Sequence, residues 1–100
     1  MAFDMKADGL KEAIQHHEEE IFSKILENDD YPQLNRIWEQ FYDGPQIFPD
    51  QANELVHELI ALKEEKICEE EKHMNYTIDR LISFFSKSYR LKKQIYCISD

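Results

Sequence analysis

The stretch Tyr31–Leu62, YPQLNRIWEQFYDGPQIFPDQANELVHELIAL, carries the strongest fold signals in this 100-residue chain. It holds the only tryptophan, all three prolines and one of the two glycines. Its first apolar side chains recur at steps of three and four residues, at Leu34, Ile37, Trp38, Phe41 and Tyr42. This spacing predicts a short amphipathic helix, which Gly44-Pro45 ends. Pro49 suits the first turn of the next helix.

Helical spacing continues on both sides of this stretch. Two later stripes are formed by Ala52, Leu55, Val56, Leu59, Ile60 and Leu62, and by Ile67, Met74, Ile78, Leu81, Ile82 and Phe85. The glutamate-rich segment between Lys63 and Asn75 is consistent either with a helix junction or with one kinked helix. Upstream, Leu10–Leu26 also has helical spacing, and Asp8 is a candidate for its N-terminal cap.

The sequence therefore predicts an all-α fold. We expect a single domain over residues 1–100 that is a bundle of about four helices. Residues 1–7 show no clear period and are expected to be a loose arm. Residues 94–100 alternate β-favouring side chains and predict a short extended C-terminal tail.

Composition favours a soluble folded domain. Apolar residues make up 42% of the chain and aromatic residues 12%, which excludes wholesale disorder. No apolar run approaches the roughly 20 residues of a membrane span, and no signal peptide is recognisable, so a cytoplasmic location is expected. Cys68 and Cys97 are too few and too far apart for a disulfide framework, and free thiols are expected.

The net charge of −9 is unevenly distributed. Residues 1–50 carry four basic and twelve acidic side chains, whereas residues 51–100 carry eight basic and nine acidic ones. The first half would repel a phosphate backbone, so direct nucleic-acid binding is disfavoured. A basic protein partner would be attracted instead, although solubility alone would also explain the charge.

Two Glu-x-x-His patterns, Glu54–His57 and Glu70–His73, match the spacing of ligands in di-iron carboxylate bundles. At about 100° per residue, however, both patterns lie away from the apolar sector of their helices. The segment His16–Glu20 could bind a divalent ion adventitiously, but a solvated helix face explains it better. No metal ligand and no cofactor is therefore expected.

No catalytic residue is predicted either. Nucleophilic catalysis needs a serine or cysteine that is held by a histidine and an orienting carboxylate, and no G-x-S-x-G elbow is present. Two glycines cannot build a phosphate-binding loop. We expect a protein that is not an enzyme.

A partner-binding surface is the remaining candidate site. Acidic side chains near amphipathic tyrosines suit an Arg- or Lys-rich partner, whereas Trp38 at helical spacing is better explained as core. Tyr31 and Tyr42 border acidic loops and are the better interface candidates. The predicted partner-binding residues are Asp29, Asp30, Tyr42, Asp43 and Asp50, with Glu18, Glu19 and Glu20 as a second patch.

The order of these motifs resembles small helical immunity proteins of bacterial toxin–immunity systems, such as those of contact-dependent growth inhibition. The resemblance rests on Tyr31–Pro45, Glu54–Leu62, the Phe84-Phe85 pair and the terminal Cys97–Asp100. It implies a cytoplasmic bacterial protein that binds and neutralises one cognate toxin. The acidic first half would favour a basic nuclease as that toxin. The alternatives are a helical adaptor or self-associating scaffold and, further off, a carboxylate metal-binding protein.

Overall fold

A computed structural model describes residues 2–26, 28–40, 43–67 and 69–99, without the side chains of Ala2 and Ser99. The four strands are β1 (Ala2–Ala7), β2 (Leu10–Gln15), β3 (Gln46–Ile47) and β4 (Ile95–Ser99). The three α-helices are α1 (Pro32–Glu39), α2 (Pro49–Glu65) and α3 (His73–Arg90). Two 3₁₀ segments, His16–Lys24 and Glu69–Glu71, precede α1 and α3.

The all-α prediction is wrong, because the strands form one antiparallel sheet in the order β2-β1-β4-β3. Residues 2–7, predicted to be a loose arm, form β1 and lie between β2 and β4. Phe3, Met5 and Ala7 are buried, whereas Lys6 is exposed and Asp4 half-buried. This period of two is that of a strand with one covered face.

The helix predicted from Leu10 is also wrong, because Asp8-Gly9 is a hairpin turn rather than a helix start. Ala7 pairs with Leu10 across this two-residue turn, and Gly9 adopts a φ of 80°. A glycine takes such a φ without the steric cost of a side chain. The chain then returns as β2 and enters the 3₁₀ segment at His16.

The helices cover one face of the sheet. A single apolar core joins the inward side chains of the strands to those of the helices, including Phe3, Met5, Ile14, Leu55, Leu59, Ile78, Leu81, Phe85, Ile95 and Cys97. Burial raises the pKa of the Cys97 thiol to about 12, so this thiol stays protonated and unreactive at neutral pH. In the described part of the chain, no helix has the length and apolarity needed to cross a membrane.

The structure decides between the two alternatives for the glutamate-rich segment and confirms the extended tail. The glutamate-rich segment is a junction, since α2 ends at Glu65 and α3 begins at His73. The extended tail is present as β4, which the sheet holds against β1.

The end of α3 yields a stability prediction. Lys92 has a φ of 57°, while the Lys93 N–H donates to the Ser88 carbonyl at 2.9 Å and closes the last turn. Glycine usually fills this left-handed position, because a Cβ atom there costs about 1 kcal/mol. We therefore expect Lys92→Gly to raise the free energy of unfolding by about 0.5 kcal/mol, measured by urea denaturation. Lys87→Gly, inside α3, is the control and should lower it by about 1 kcal/mol.

Candidate functional site

Acidic side chains without ionic partners are concentrated on α1, α2 and the loops beside them. Residues 28–67 carry nine carboxylates and three cations. Eight of these carboxylates are exposed, and none of the eight is in an ion pair with another described residue: Asp29, Asp30, Glu39, Asp43, Asp50, Glu54, Glu64 and Glu65. We call this set the acidic surface.

Acids elsewhere are largely neutralised by cations from distant parts of the chain. Arg80 of α3 pairs with Glu12 and Glu18 across more than sixty residues. Lys93 pairs with Asp8 at 3.1 Å. Nine carboxylates against three cations give residues 28–67 a net charge of −6, out of −9 for the whole chain, so we expect a cationic partner to be attracted mainly to the acidic surface.

A cleft of about 480 Å³ lies within the acidic surface, between the loop before α1 and α1 itself. Its lining includes Leu26, which is 50% exposed, and the half-buried Trp38. Asp29 and Glu39 also line the cleft, together with Arg36. The cleft thus combines apolar contact area with two carboxylates, which suits a long cationic side chain.

Trp38 and Arg36 attach α1 to neighbouring elements. The Trp38 ring stacks on Phe22 of the first 3₁₀ segment, with 5.0 Å between the centroids and 23° between the planes. Arg36, one half-turn earlier on α1, donates from Nη2 to the Gln46 carbonyl of β3 at 2.9 Å. These contacts hold α1 to the rest of the fold, and the same two side chains line the cleft.

A buried carboxylate from α2 caps the N-terminus of α1. Glu58, only 8% exposed, accepts the Gln33 N–H at 3.1 Å and the Leu34 N–H at 2.9 Å. Pro32, the first residue of α1, has no N–H to satisfy, so these two donors are the ones that need a partner. Burial raises the pKa of the Glu58 carboxyl, the two N–H groups oppose this in part, and nearby Glu54 adds to it.

The predicted site residues fall in three places. Asp29 and Asp30 lie in the loop before α1, Asp43 follows α1, and Asp50 lies in the first turn of α2; all four are exposed. Since α1 is eight residues long, its two ends are about 12 Å apart. Tyr42 lies outside the described residues.

The expectation for Tyr31 is wrong, whereas Trp38 packs against the core as expected and is also partly exposed. Tyr31, expected at the interface, is only 1% exposed, and burial together with the charges of Glu65 and Asp30 raises its pKa. Trp38, expected in the core, is half-buried and lines the cleft. Sequence spacing places Trp38 on α1, but only the tertiary structure shows which part of its ring reaches the surface.

The second predicted patch is occupied by contacts within the chain. Glu18 is 5% exposed, and its carboxylate accepts bonds from Arg80 at 2.7 and 3.2 Å and from the Thr77 hydroxyl at 2.7 Å. Glu19 contacts His16 at 3.2 Å, and Glu20 contacts His73 at 2.7 Å. Glu18 is therefore inaccessible to a partner, and the other two carboxylates are already engaged.

An arginine bonds one backbone carbonyl on each edge strand of the sheet, a feature that the sequence did not reveal. On β2, the Ala13 carbonyl accepts a bond from Arg80 Nη2 at 2.7 Å, and the Ala13 N–H donates to Glu12 at 3.0 Å. On β3, the Gln46 carbonyl accepts a bond from Arg36 Nη2. Edge groups that are already bonded cannot pair with a foreign strand, so strand addition is disfavoured at these positions.

Across residues 2–26, 28–40, 43–67 and 69–99, no group of three or more His, Cys, Asp or Glu side chains is arranged to hold a metal ion. Glu54 instead accepts a bond from the Gln33 side-chain amide at 2.7 Å.

No family model, curated protein or solved structure matches the chain. The cleft and its carboxylates are therefore the strongest candidate for a functional site.

Proposed function

We propose that this chain is an immunity protein that binds a cognate toxin domain, a basic nuclease, and neutralises it by occupying its substrate-binding surface. The observation that carries the proposal is the cleft beside α1, where unpaired carboxylates adjoin Leu26 and Trp38. The motif resemblance between Tyr31 and Pro45 supports the same partner class. Neutralisation by occupancy needs neither a catalytic residue nor a cofactor.

The charge distribution gives a physical mechanism. Nucleases bind phosphate backbones with lysines and arginines, so their substrate clefts are positively charged. The acidic surface would attract such a cleft, accelerate association and align the two proteins. A partner lysine or arginine that enters the cleft beside Trp38 would gain apolar contact through its stem and charge pairing with Asp29 at its tip.

The proposal is tested by affinity capture from the native host at low and at high salt. The double variant Asp29→Lys/Asp30→Lys should bind at least about 100-fold more weakly than the wild type, since each reversal costs roughly 1.4 kcal/mol or more. Glu69→Lys/Glu70→Lys is the matched control, with the same change in net charge at exposed positions outside the acidic surface. The control should lose much less affinity.

Support requires that the captured partner is a basic domain, that salt weakens the complex, and that co-expression of this chain protects cells from the partner's toxicity. If the two double variants lose affinity equally, only net charge matters and the acidic surface is not the binding site. A partner that is not toxic when expressed alone would contradict the immunity function.

A further inference from the structure

The outer face of the sheet, opposite the helices, carries large apolar side chains. On β4, Tyr96 is 53% exposed and Ile98 is 57% exposed, while Ile95 and Cys97, which alternate with them, are buried in the core. Phe48, which continues the extended backbone after β3, is 51% exposed. Alternation along the strands places these three side chains on the same outer face.

The charged side chains on this face differ from those on the rest of the molecule. The register aligns Lys6 of β1 with Lys11 of β2 and with Tyr96 of β4, and aligns Asp4 with Ile98. Among the described residues, neither Asp4 nor Lys6 is in an ion pair. Like charges directly opposite on a sheet destabilise it, so Lys6 and Lys11 leave a local repulsion that an added carboxylate would relieve.

These four positions form a self-complementary block. Lys6–Tyr96 and Asp4–Ile98 are adjacent rows of one two-strand unit. A two-fold axis that crosses the strands in the plane of the interface would place Lys6 over Asp4 of a second copy. The same axis would place Tyr96 over Ile98 of that copy. An axis parallel to the strands would instead place Asp4 over Ile98, which would leave the carboxylate without a partner.

We propose that the outer face of the sheet is a docking surface for a second copy of this chain, in the arrangement with the axis across the strands. Charge complementarity favours this occupant: in this arrangement Lys6 and Asp4 of each copy face Asp4 and Lys6 of the other, while Lys11 faces the uncharged Ala13. The four strands have six, six, two and five residues, and at about 3.3 Å per residue and 4.8 Å between strands they cover only about 300 Å² per copy, less than half of a standard interface. The dimer is therefore weak and forms at high concentration.

The proposal is independent of toxin binding and is tested by sedimentation equilibrium from about 10 µM to about 1 mM protein. The wild-type mass should rise above the 12.0 kDa of the monomer as concentration increases. Ile98→Lys should remain monomeric throughout. Ile60→Lys, which makes the same exchange at a 40% exposed position of α2, should associate like the wild type.

The orientation is tested by a charge swap. Asp4→Lys and Lys6→Asp should each weaken association at least about 10-fold, because like charges then face each other. The double variant Asp4→Lys/Lys6→Asp should restore association to within about 3-fold of the wild type. Circular dichroism must show unchanged folding in each variant.

A wild-type chain that is monomeric at every concentration would overturn the proposal. The outer face of the sheet would then have to bind a different protein, if it binds one at all. An Ile60→Lys variant that also fails to associate would overturn it as well. A double variant that stays as weak as the single variants would overturn the two-fold arrangement on which it rests. Asp29→Lys/Asp30→Lys should associate normally, which separates this surface from the acidic surface.

Discussion

Arg80→Ala is expected to lower the free energy of unfolding by about 3 kcal/mol, a large share of the 5 to 15 kcal/mol that holds a domain of this size together. The guanidinium bonds both oxygens of the buried Glu18 carboxylate and also the Ala13 carbonyl. Without the Arg80 guanidinium, the Glu18 carboxylate would be buried and charged but would lack a cationic partner. Removal of one partner from a buried ion pair usually costs about 3 to 5 kcal/mol. We expect the lower end of that range, because the Arg80 side chain is 26% exposed and partly screened by water.

Urea denaturation at neutral pH measures the effect, with Lys63→Ala as the control. Lys63 pairs with Asp79 at 2.8 Å, but both side chains are exposed, so its loss should cost less than about 1 kcal/mol. Arg80→Lys should fall between the two, since it keeps the charge and loses the two-pronged geometry. Equal losses for Arg80→Ala and Lys63→Ala would contradict a structural role for the Glu18–Arg80 pair.

The free energy of unfolding that Arg80→Ala removes should depend on pH. Burial alone would raise the pKa of Glu18, but bonds from Arg80, the Gln15 N–H and Thr77 outweigh burial and lower it below the ordinary 4.5. A carboxyl with a lowered folded-state pKa contributes its full stability above the unfolded value and loses it as pH falls through the folded value. The difference between wild type and Arg80→Ala should therefore shrink on acidification below pH 4.5.

The helices were predictable because their signals are local. The stripe from Leu34, the stop at Gly44 and the start at Pro49 each lie within one or two turns of the element that they define. The structure places α1 and α2 there, with α1 ending at Glu39. The break before α3 also had a local signal, because the helical spacing of apolar residues is lost in the glutamate-rich segment.

The first hairpin was missed although its signals were present. The alternation of Phe3, Met5 and Ala7 with charged residues has a period of two, and a two-residue Asp-Gly turn between alternating stretches is a strong hairpin signal. Asp8-Gly9 also resembles a helix start, and the helical spacing after Leu10 favoured that interpretation. In the structure, pairing of β1 with β2 overrides the helical period.

Other features depend on contacts that no local pattern encodes. The strand β4 pairs with β1 from the opposite end of the chain. Arg80 reaches Glu18 across 62 positions, which turned a predicted binding residue into a buried one. The exposed aspartates of the candidate site were predictable, because charged loop residues between helices lie in water in most folds.

Glu58→Ala is expected to lower the free energy of unfolding by about 3 kcal/mol and to loosen α1 before the rest of the fold. The substitution leaves the N–H groups of Gln33 and Leu34 buried without an acceptor, at a cost of about 1 to 3 kcal/mol for each group. Glu54→Ala, one turn earlier on α2, is the control. Glu54 is exposed and, among the described residues, bonds only the Gln33 side chain, so its loss should cost less than about 1 kcal/mol.

The only tryptophan reports directly on the loosened helix. Trp38 lies on α1 and is half-buried against Phe22, so detachment of α1 should shift its fluorescence emission to longer wavelength. In Glu58→Ala this shift should begin at a lower urea concentration than the loss of helical circular dichroism. Coincident transitions in the variant would show that Glu58 stabilises the whole domain and not α1 in particular.

The pH dependence of Glu58 should have the opposite sign to that of Glu18. Its folded-state pKa is raised by burial, so the folded protein binds this proton more tightly than the unfolded chain does. The contribution of Glu58 to stability therefore falls as pH rises from 4.5 through the raised folded value. Glu58→Gln cannot ionise, so its deficit relative to the wild type should narrow over that window, whereas the deficit of Arg80→Ala should not. Opposite slopes would show that the ion pair with Arg80 and the accompanying bonds outweigh burial at Glu18, whereas burial outweighs the two N–H donors at Glu58.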